Sequence, residues 1–535
     1  MQLSRVEIIK YKNFENIIID FEKLDFSSVY SIASKNGSGK STILEFIFIM
    51  LHCFMDEKKK NYIKNLLKDD FLGQENIIIK LNLNHNSVDY HIEFFTTSVI
   101  WENYDFNLYL DLDELDKDIE VNKDKKDKYS KILMLKKILT EFKRVTPLFK
   151  NKFRDTEYIF NSLGLQEEYN NLRIDSNQKK VVTNYIELIE IALKNPDIKS
   201  DNIQDLKEIY DTNSTMLKEL KDTLDKQNLQ YITHLDEDRV LLIKTDMSFE
   251  LLAELSKKVY LIAPSSQVFH FLKVEDKLEI FDSIVSYSSV LENIKKDLEN
   301  FYTYDFASTQ LILNSFKKAS QDDLKIKRKT GKYGIQYDKL TYELKSLLDD
   351  KEVLESEDGD RIIFKLKSTG KELFPEDLSH GELRKLGVYI WIKYITEEDS
   401  IILMDEPDIA LHPKWQYDLV KDLTKWSNSQ FLLATHSPQI ISSTHYKNII
   451  KLDNGVVKRL KKPPMDRDIN TIITEIMDAE DFPIDLLILH KQYRKLINDG
   501  QKETKEAKNL KAKILEYESE NSSFFQEINF ELELI

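Results

Sequence analysis

Residues 29–50 read Val-Tyr-Ser-Ile-Ala, then Ser34-Lys35-Asn36-Gly37-Ser38-Gly39-Lys40-Ser41-Thr42, then Ile-Leu-Glu-Phe-Ile-Phe-Ile-Met. An apolar run, a polar turn punctuated by glycine and a second apolar run predict strand, loop and helix in that order. The chain holds only 12 glycines, so two of them one residue apart before a lysine stand out. Glycine lets the backbone wind close around a phosphate and turn successive N–H groups inward. The helix that follows presents its positive end to the same anion. In this arrangement Lys40 reaches the β- and γ-phosphates and the Ser41 hydroxyl ligates Mg²⁺. The expected ligand is a nucleoside triphosphate with Mg²⁺, held by Asn36, Gly37, Ser38, Gly39, Lys40, Ser41 and Thr42. One position departs from the G-x-x-x-x-G-K-[ST] pattern, because Ser34 stands where the first glycine is usual. A side chain there is expected to allow binding while slowing turnover, as would suit a switch.

At 535 residues the chain is too long for one simple core, and two or three domains are expected. Apolar content of 41% supports a folded protein, and 32% charged residues suggest long solvated helices as well. With a net charge of −16, contact with nucleic acid has to come from a local basic patch. The run from Lys317 to Lys332 is basic against this background and reads either as a solvated face or as such a patch. The single cysteine, Cys53, excludes an internal disulfide and a multi-cysteine zinc site, which fits a reducing cytoplasm. The most apolar stretch, Ile43 to Met55, carries Glu45 and His52 and is too short to span a bilayer. Met1 leads into a strand pattern rather than a signal peptide, so a cytoplasmic protein without membrane contact is expected.

Residues 3–11 alternate and Ile17 to Phe21 forms a second short run, which with Val29 to Ala33 predicts three strands before the loop. Asn76 to Leu83 and Val88 to Phe95, separated by Asn-His-Asn-Ser, read as a hairpin. From about 102 to 250 the chain turns lysine- and aspartate-rich with helical patterning, clearest at Lys128–Val145 and Asp205–Gln227. A strand follows at Lys258–Ala263, closed by Pro264, then a helical stretch over 273–302 and a hairpin at 361–374. Four regions are expected: an N-terminal lobe at 1–101, a helical insertion at 102–250, a second lobe at 251–460 and a helical tail at 461–535.

Three downstream motifs carry chemistry. Leu378-Ser379-His380-Gly381-Glu382 opens a helix, with Ser379 and Glu382 spaced as a capping box. Ile401-Ile402-Leu403-Met404-Asp405-Glu406-Pro407 is a buried strand delivering two carboxylates to its C-terminal edge, where α/β sheets bind ligands. Asp405 suits Mg²⁺ held through water, and Glu406 suits orienting and deprotonating the attacking water. Phe431-Leu432-Leu433-Ala434-Thr435-His436 is a second buried strand, ending in a histidine placed to polarise a γ-phosphate.

The order of phosphate loop, L-S-x-G-E signature, strand-Asp-Glu and strand-His resembles the full set of the ABC-type ATPases. The wording Asp405-Glu406-Pro407 to Leu411-His412-Pro413 resembles the soluble members (SMC, RecF and overcoming-lysogenization-defect proteins) more than transporters. The resemblance implies an α/β fold: an ABC-type P-loop ATPase head with mixed sheet, a coiled-coil-like helical insertion and a helical C-terminal tail. It implies ATP and Mg²⁺ as cofactors. It also implies a head-to-tail dimer, in which Ser379 and Gly381 of one copy meet the γ-phosphate held by another. By the same resemblance Gln267, in Pro-Ser-Ser-Gln after a strand, is the glutamine that contacts nucleotide and metal; Gln74 is its rival. Lys12 and Asn13 are placed near the adenine.

More than 360 residues separate Lys40 from Asp405, far more than a bare head needs, so the stretch 102–250 is an arm or subdomain. Two antiparallel helices of about 50–60 residues each would reach roughly 75–90 Å. Beyond His436, Asp466-Arg467-Asp468-Ile469-Asn470 to Glu475-Ile476-Met477 precedes helices at 484–498 and 501–518. This resembles the tail of the Septu ATPase subunits, the PtuA family. That resemblance implies an antiphage ATPase paired with an HNH nuclease (PtuB-like) through the tail, sometimes alongside a retron reverse transcriptase with its RNA and DNA product. Two alternatives are a RecF- or SMC-like DNA-binding repair ATPase and a self-sufficient nuclease of the overcoming-lysogenization-defect type. The nuclease needs a later carboxylate set on strands, and after His436 the sequence offers only Asn448–Leu452 leading into Asp453-Asn454-Gly455.

Overall fold

In the computed structural model the apolar run ahead of the phosphate loop is a strand buried at every position. The structure describes residues 1–22, 24, 27–35, 37–67, 76–101, 104–106, 218, 220–272, 277, 280, 286–304, 308–348, 350–355, 362–453, 455–479 and 482–533. Asn36, Gln74, the helix expected at 128–145 and the expected insertion from 107 to 217 lie outside these residues.

From the start of the chain come β1 (Gln2–Tyr11), β2 (Phe14–Asp20), β3 (Val29–Ala33), α1 (Lys40–Cys53) and α2 (Lys60–Leu67). Then follow β4 (Asn76–His85), β5 (Val88–Ser98), β6 (Ile100–Trp101) and β7 (Tyr104–Asp105). Later come β8 (Leu229–His234), β9 (Arg239–Thr245), α3 (Phe249–Lys257), β10 (Val259–Ala263), α4 (Val268–Phe271), α5 (Tyr287–Asp297) and β11 (Phe301–Thr303). Next are α6 (Ser308–Thr330), α7 (Gln336–Leu347), β12 (Lys351–Glu355), β13 (Ile362–Leu366), β14 (Glu372–Leu373), α8 (His380–Ile390) and β15 (Ile401–Asp405). The rest is α9 (Pro413–Trp426), β16 (Gln430–Ala434), α10 (Pro438–Ser443), β17 (Ile449–Asp453), β18 (Val456–Arg459), α11 (Ile469–Thr471), α12 (Ile484–Asn498), α13 (Lys505–Ile514) and α14 (Ser523–Glu533).

Two sheets enclose α1. One is antiparallel, in the order β2-β1-β4-β5-β9-β8. The other runs β11-β10-β15-β16-β3-β17-β18 and is parallel except for the final pair. Strands buried on both faces read as continuous apolar runs, yet period two still sorts their side chains. Ile401 and Leu403 of β15, with Leu432 and Ala434 of β16, join the core around Ile43, Phe46 and Ile47 of α1. Ile402 and Met404, with Phe431 and Leu433, face a second core built with Phe316 of α6, Leu344 of α7, Leu386 of α8 and Leu423 of α9. The layers are therefore antiparallel sheet, helix α1, parallel sheet and outer helices. Phe46 stacks on Tyr11 of the antiparallel sheet with ring centroids 4.1 Å apart. Burying an aromatic ring of this kind contributes roughly 1.5–3 kcal/mol, which anchors the phosphate-loop helix between the two sheets.

Several expected elements differ. The 102–250 stretch is not helical to its end, because β8 and β9 pair antiparallel and extend the first sheet beyond β5. Val240, Leu241, Leu242 and Ile243 are a β-branched and apolar run whose burial outweighs the charged flanks that suggested helix. The helix expected at 205–227 is described only near its end, where 220–226 are helical. Within the helical stretch expected at 273–302, α5 is followed by β11, which pairs parallel with β10 and buries Phe301. The 361–374 hairpin gains a third strand, β12. The tail also holds a third helix, α14, beyond the two expected.

Around α12–α14 lies a separate core of Leu486, Tyr493, Ile497, Ala507, Ile514, Phe524, Phe525 and Ile528. The expected boundary at 461 does not match the packing. Ile472 and Ile476 are buried with Ala33, Ile441 and Ile449, so this segment packs against the strand that precedes the phosphate loop. Arg467 donates to the carbonyls of Ser442 and Thr444 at 2.9 and 2.8 Å, closing the open end of α10. Asp468 caps the next turn by accepting from the Asn470 and Thr471 amides. Among the described residues no helix is long and apolar enough to cross a membrane.

Candidate nucleotide and metal site

The phosphate loop joins β3 to α1 and takes two left-handed residues, Gly37 at φ 76° and Gly39 at φ 92°. Gly39 is required twice over. Its φ disfavours a side chain, and a Cβ there would lie 2.2 Å from Cζ of the buried Phe14 ring. Ser34 adopts no such conformation, so its position makes no backbone demand for glycine. Its hydroxyl instead accepts from Lys40 Nζ at 2.9 Å, and Ser38 Oγ also bonds to it. The substituted residue is thus part of the loop's own hydrogen-bond set.

Lys40 also donates to His436 Nε2 at 2.7 Å. Burial lowers the lysine to about 8, partly offset by the negative charges of Asp405, Glu406 and Asp408. Burial, followed by the Lys40 charge, holds His436 below the ordinary histidine value. A neutral ring that accepts from a cation is consistent with both shifts. Lys40, on α1, and His436, just past β16, meet because β16 pairs directly with β3 in parallel.

One strand over, Asp405 ends β15. Its Oδ1 accepts from Ser41 Oγ at 3.0 Å and its Oδ2 accepts from Gln267 Nε2 at 2.7 Å. Gln267 closes a short turn after β10, the other neighbour of β15. Burial pushes the Asp405 carboxyl up to about 7; the Ser41 hydrogen bond opposes this and the nearby Glu406 charge adds to it. The other amide atom, Gln267 Oε1, is buried and has no hydrogen-bond partner among the described residues. A hydroxyl, a carboxylate and an orphaned amide oxygen together are a donor set that a hard divalent cation takes. No group of three or more His, Cys, Asp or Glu side chains suited to a metal occurs among the described residues. The remaining ligands of a cation here would have to be phosphate oxygens and water, as is usual for Mg²⁺.

Glu406 sits at φ 49°, a left-handed conformation uncommon outside glycine, asparagine and aspartate. Its amide donates to the Ala434 carbonyl at 2.8 Å, and its own carbonyl accepts from Arg384 Nη2 at 3.0 Å. The Arg384 guanidinium lies 3.6 Å from the centroid of the buried Tyr304 ring. Sequence reading did not single out Arg384. Its only signal is a cation within the apolar helix that Leu383, Leu386 and Ile390 define. Thr435 was missed too: its hydroxyl donates to Asp408 Oδ1 at 2.5 Å and it accepts from the Ser437 amide at 2.9 Å, tying the turn after Glu406 to the His436 loop.

The signature residues lie elsewhere. Ser379 caps α8, bonding reciprocally with Glu382 as expected. Gly381 abuts the Asp408–Leu411 turn, where a Cβ would come 2.8 Å from the Ala410 carbonyl oxygen. Among the described residues neither hydrogen-bonds to the phosphate loop. Thr42 lies in the first turn of α1, and Lys12 and Asn13 form the exposed turn between β1 and β2.

Residues 1–450 match the family described as AAA ATPase domain. Among curated proteins, the retron Vc95 probable ATPase of Vibrio cholerae serotype O1 biovar El Tor is 32% identical over 122 residues, 21% of this chain and 23% of that protein. The retron Ec83 probable ATPase of Escherichia coli is 26% identical over 137 residues, 25% of each chain. The chain thus aligns with about a quarter of the length of these relatives. Among solved structures, the SMC head domain from Thermotoga maritima is similar at a TM-score of 0.35 and 11% identity, covering 86% of this chain and 100% of that one. An SMC head domain with a coiled coil and joint from Pyrococcus yayanosii gives 0.30 and 13%, covering 89% and 99%. With its ordered ATPase motifs on one parallel sheet and a family match over most of its length, this chain belongs to the AAA ATPase domain family.

Proposed function

We propose that this chain binds and hydrolyses ATP with Mg²⁺ as the ATPase subunit of a retron-associated, Septu-like antiphage complex, assembling head to tail and controlling a partner HNH nuclease. The observation that carries the ATP site is the convergence of Ser41, Gln267 and Asp405 at neighbouring strand ends, with Gln267 Oε1 left unpartnered.

In this reading Gly37 to Thr42 cradle the phosphates through backbone amides and the start of α1. Ser41, Asp405 and Gln267 hold the Mg²⁺, which neutralises charge on the transferred phosphoryl oxygens. Lys40 and His436 hold the γ-phosphate. Glu406 orients the attacking water and takes its proton, with its backbone fixed by the Ala434 and Arg384 contacts. Ser379 and Gly381 of a second copy complete the γ-phosphate site, for which Ser379 is exposed at the start of α8. The three-helix tail is the nuclease-docking element, and a reverse transcriptase with its RNA and DNA product is a further partner. The named retron relatives and the tail's sequence likeness support the defence setting.

Binding of ATP measured with and without Mg²⁺, together with solution mass of the Glu406→Gln variant, tests the site and the sandwich. An ATP affinity that Mg²⁺ does not raise, or a mass unmoved by ATP, would overturn the corresponding half. Co-expression with an HNH subunit tests the rest, since failure to co-purify removes the docking role.

A further inference from the structure

The basic run read from the sequence as either solvated face or patch forms the outer part of a helical hairpin, α6 and α7. One face of α6 is buried through Ile312, Phe316, Ala319 and Asp323, which places the hairpin against the outer core. On roughly the opposite face, at helical spacing, stand Lys318, Lys325, Arg328 and Lys329, all exposed. Eleven residues of helix spread them over about 16 Å. From 324 to 333 every residue is exposed, and this stretch holds five cations and no carboxylate. Lys325 pairs with Asp322 at 2.7 Å; among the described residues Lys318, Arg328 and Lys329 make no ion pair within 4 Å.

The stripe is also held in place. Both Asp323 carboxylate oxygens accept backbone amides of α7, from Gln336 and Tyr337 at 2.9 Å each. Lys327 lies 3.8 Å over the ring of Tyr333 in the connecting turn. Like charges fixed side by side repel one another, and this stripe is a local exception in a protein whose net charge is −16. A polyanion with charges spaced along a line relieves that repulsion.

We propose that this α6 stripe and hairpin tip form a nucleic-acid contact surface that grips the sugar-phosphate backbone, with exposed Tyr333 beside it to take an unpaired base. The surface goes beyond the ATP site and does not depend on it.

The test uses the full chain without nucleotide and fluorescent 30-mers of single-stranded DNA, single-stranded RNA and duplex DNA. Lys325→Gln, Arg328→Gln and Lys329→Gln are combined, with Lys461→Gln, Lys462→Gln and Lys502→Gln combined as the charge-matched control and thermal melting as the check on folding. The triple variant is expected to lose roughly 10–100-fold in affinity at low salt and to flatten the log–log salt slope by about 2–3. The control is expected to stay close to the parent. Which oligonucleotide responds identifies the strand type, and a Tyr333→Ala loss confined to single strands marks stacking. Equal affinity of triple variant and parent for all three probes would overturn the proposal, as would binding to phosphatidylserine vesicles alone.

Discussion

Ser41 Oγ and Asp405 Oδ1 lie 3.0 Å apart, joining the first turn of α1 to the end of β15 across the centre of the parallel sheet. The contact depends on β15 and β16 lying side by side with β3 next in order, so that the loop and the acidic strand end open on the same edge. Either partner alone is unremarkable in a sequence, and together they fix where a cation can sit. Asp405→Asn or Ser41→Ala is expected to lower Mg²⁺-dependent turnover by roughly 10²-fold or more, the scale of losing one preorganised group at a charged transition state. Nucleotide binding in chelator should change far less. Equilibrium binding alongside phosphate release separates the two effects.

Glu406→Gln is expected to bind ATP as tightly as the parent and to stall hydrolysis. Because the side chain is partly exposed and its backbone contacts are unaffected, folding should be unchanged. Single-turnover kinetics and light scattering with ATP read the outcome: retained turnover would remove Glu406 from the role of base.

Gly39→Ala meets two obstacles, a left-handed φ of 92° and the Phe14 ring. The conformation costs about 1–2 kcal/mol and the overpacking another 1–3, so a loss of about 2–5 kcal/mol is expected in urea unfolding. Gly37→Ala has the φ penalty but open space around its Cβ, and should cost less. Equal losses would mean that Phe14 moves aside freely.

His52 offers a pH signature away from the nucleotide. Burial and the Lys59 charge lower it to about 4, while its Nδ1–H donates to the Ser256 carbonyl at 2.8 Å. Between about 4 and 6.5 the unfolded chain binds the proton and the folded chain does not. Stability contributed by the neutral ring is therefore complete above about 6.5 and falls as pH drops toward 4, by on the order of 3 kcal/mol at most. His52→Gln should flatten that part of the stability profile in chemical denaturation.

Truncation distinguishes the two parts of the C-terminal region. Removing residues beyond 481 deletes only the tail helices with their own core and should leave ATP binding intact while releasing an HNH partner. Removing residues beyond 465 also strips Ile472 and Ile476 from Ile441 and Ile449, and should destabilise the head. Melting temperature with and without ATP compares the two truncations.

The motifs were legible because each is local: glycines where the backbone must turn left-handed, carboxylates at a strand end, a serine that caps its own helix. Helix α12 matched the expected 484–498 because its apolar spacing and Pro483 mark it within the segment. Arg384 and Tyr304 were hidden since their contact joins positions 80 residues apart, and neither type announces the other. Strands β8 and β9 were obscured because an edge hairpin keeps charged flanks, and only pairing with β5 shows what their apolar run is for. The helix α14 follows turn residues at Ser519–Ser522, where the charged pattern of the preceding helix stops.

Ile472 and Ile476 wedge the base of the tail between the strand feeding the phosphate loop and the helix following His436. Lys451 fastens the same turn from β17, donating to the Glu475 carbonyl at 3.0 Å and to Asp478 at 2.8 Å. Any change in the packing of Ile472 or Ile476 therefore bears at once on the strand that leads into the phosphate loop and on α10.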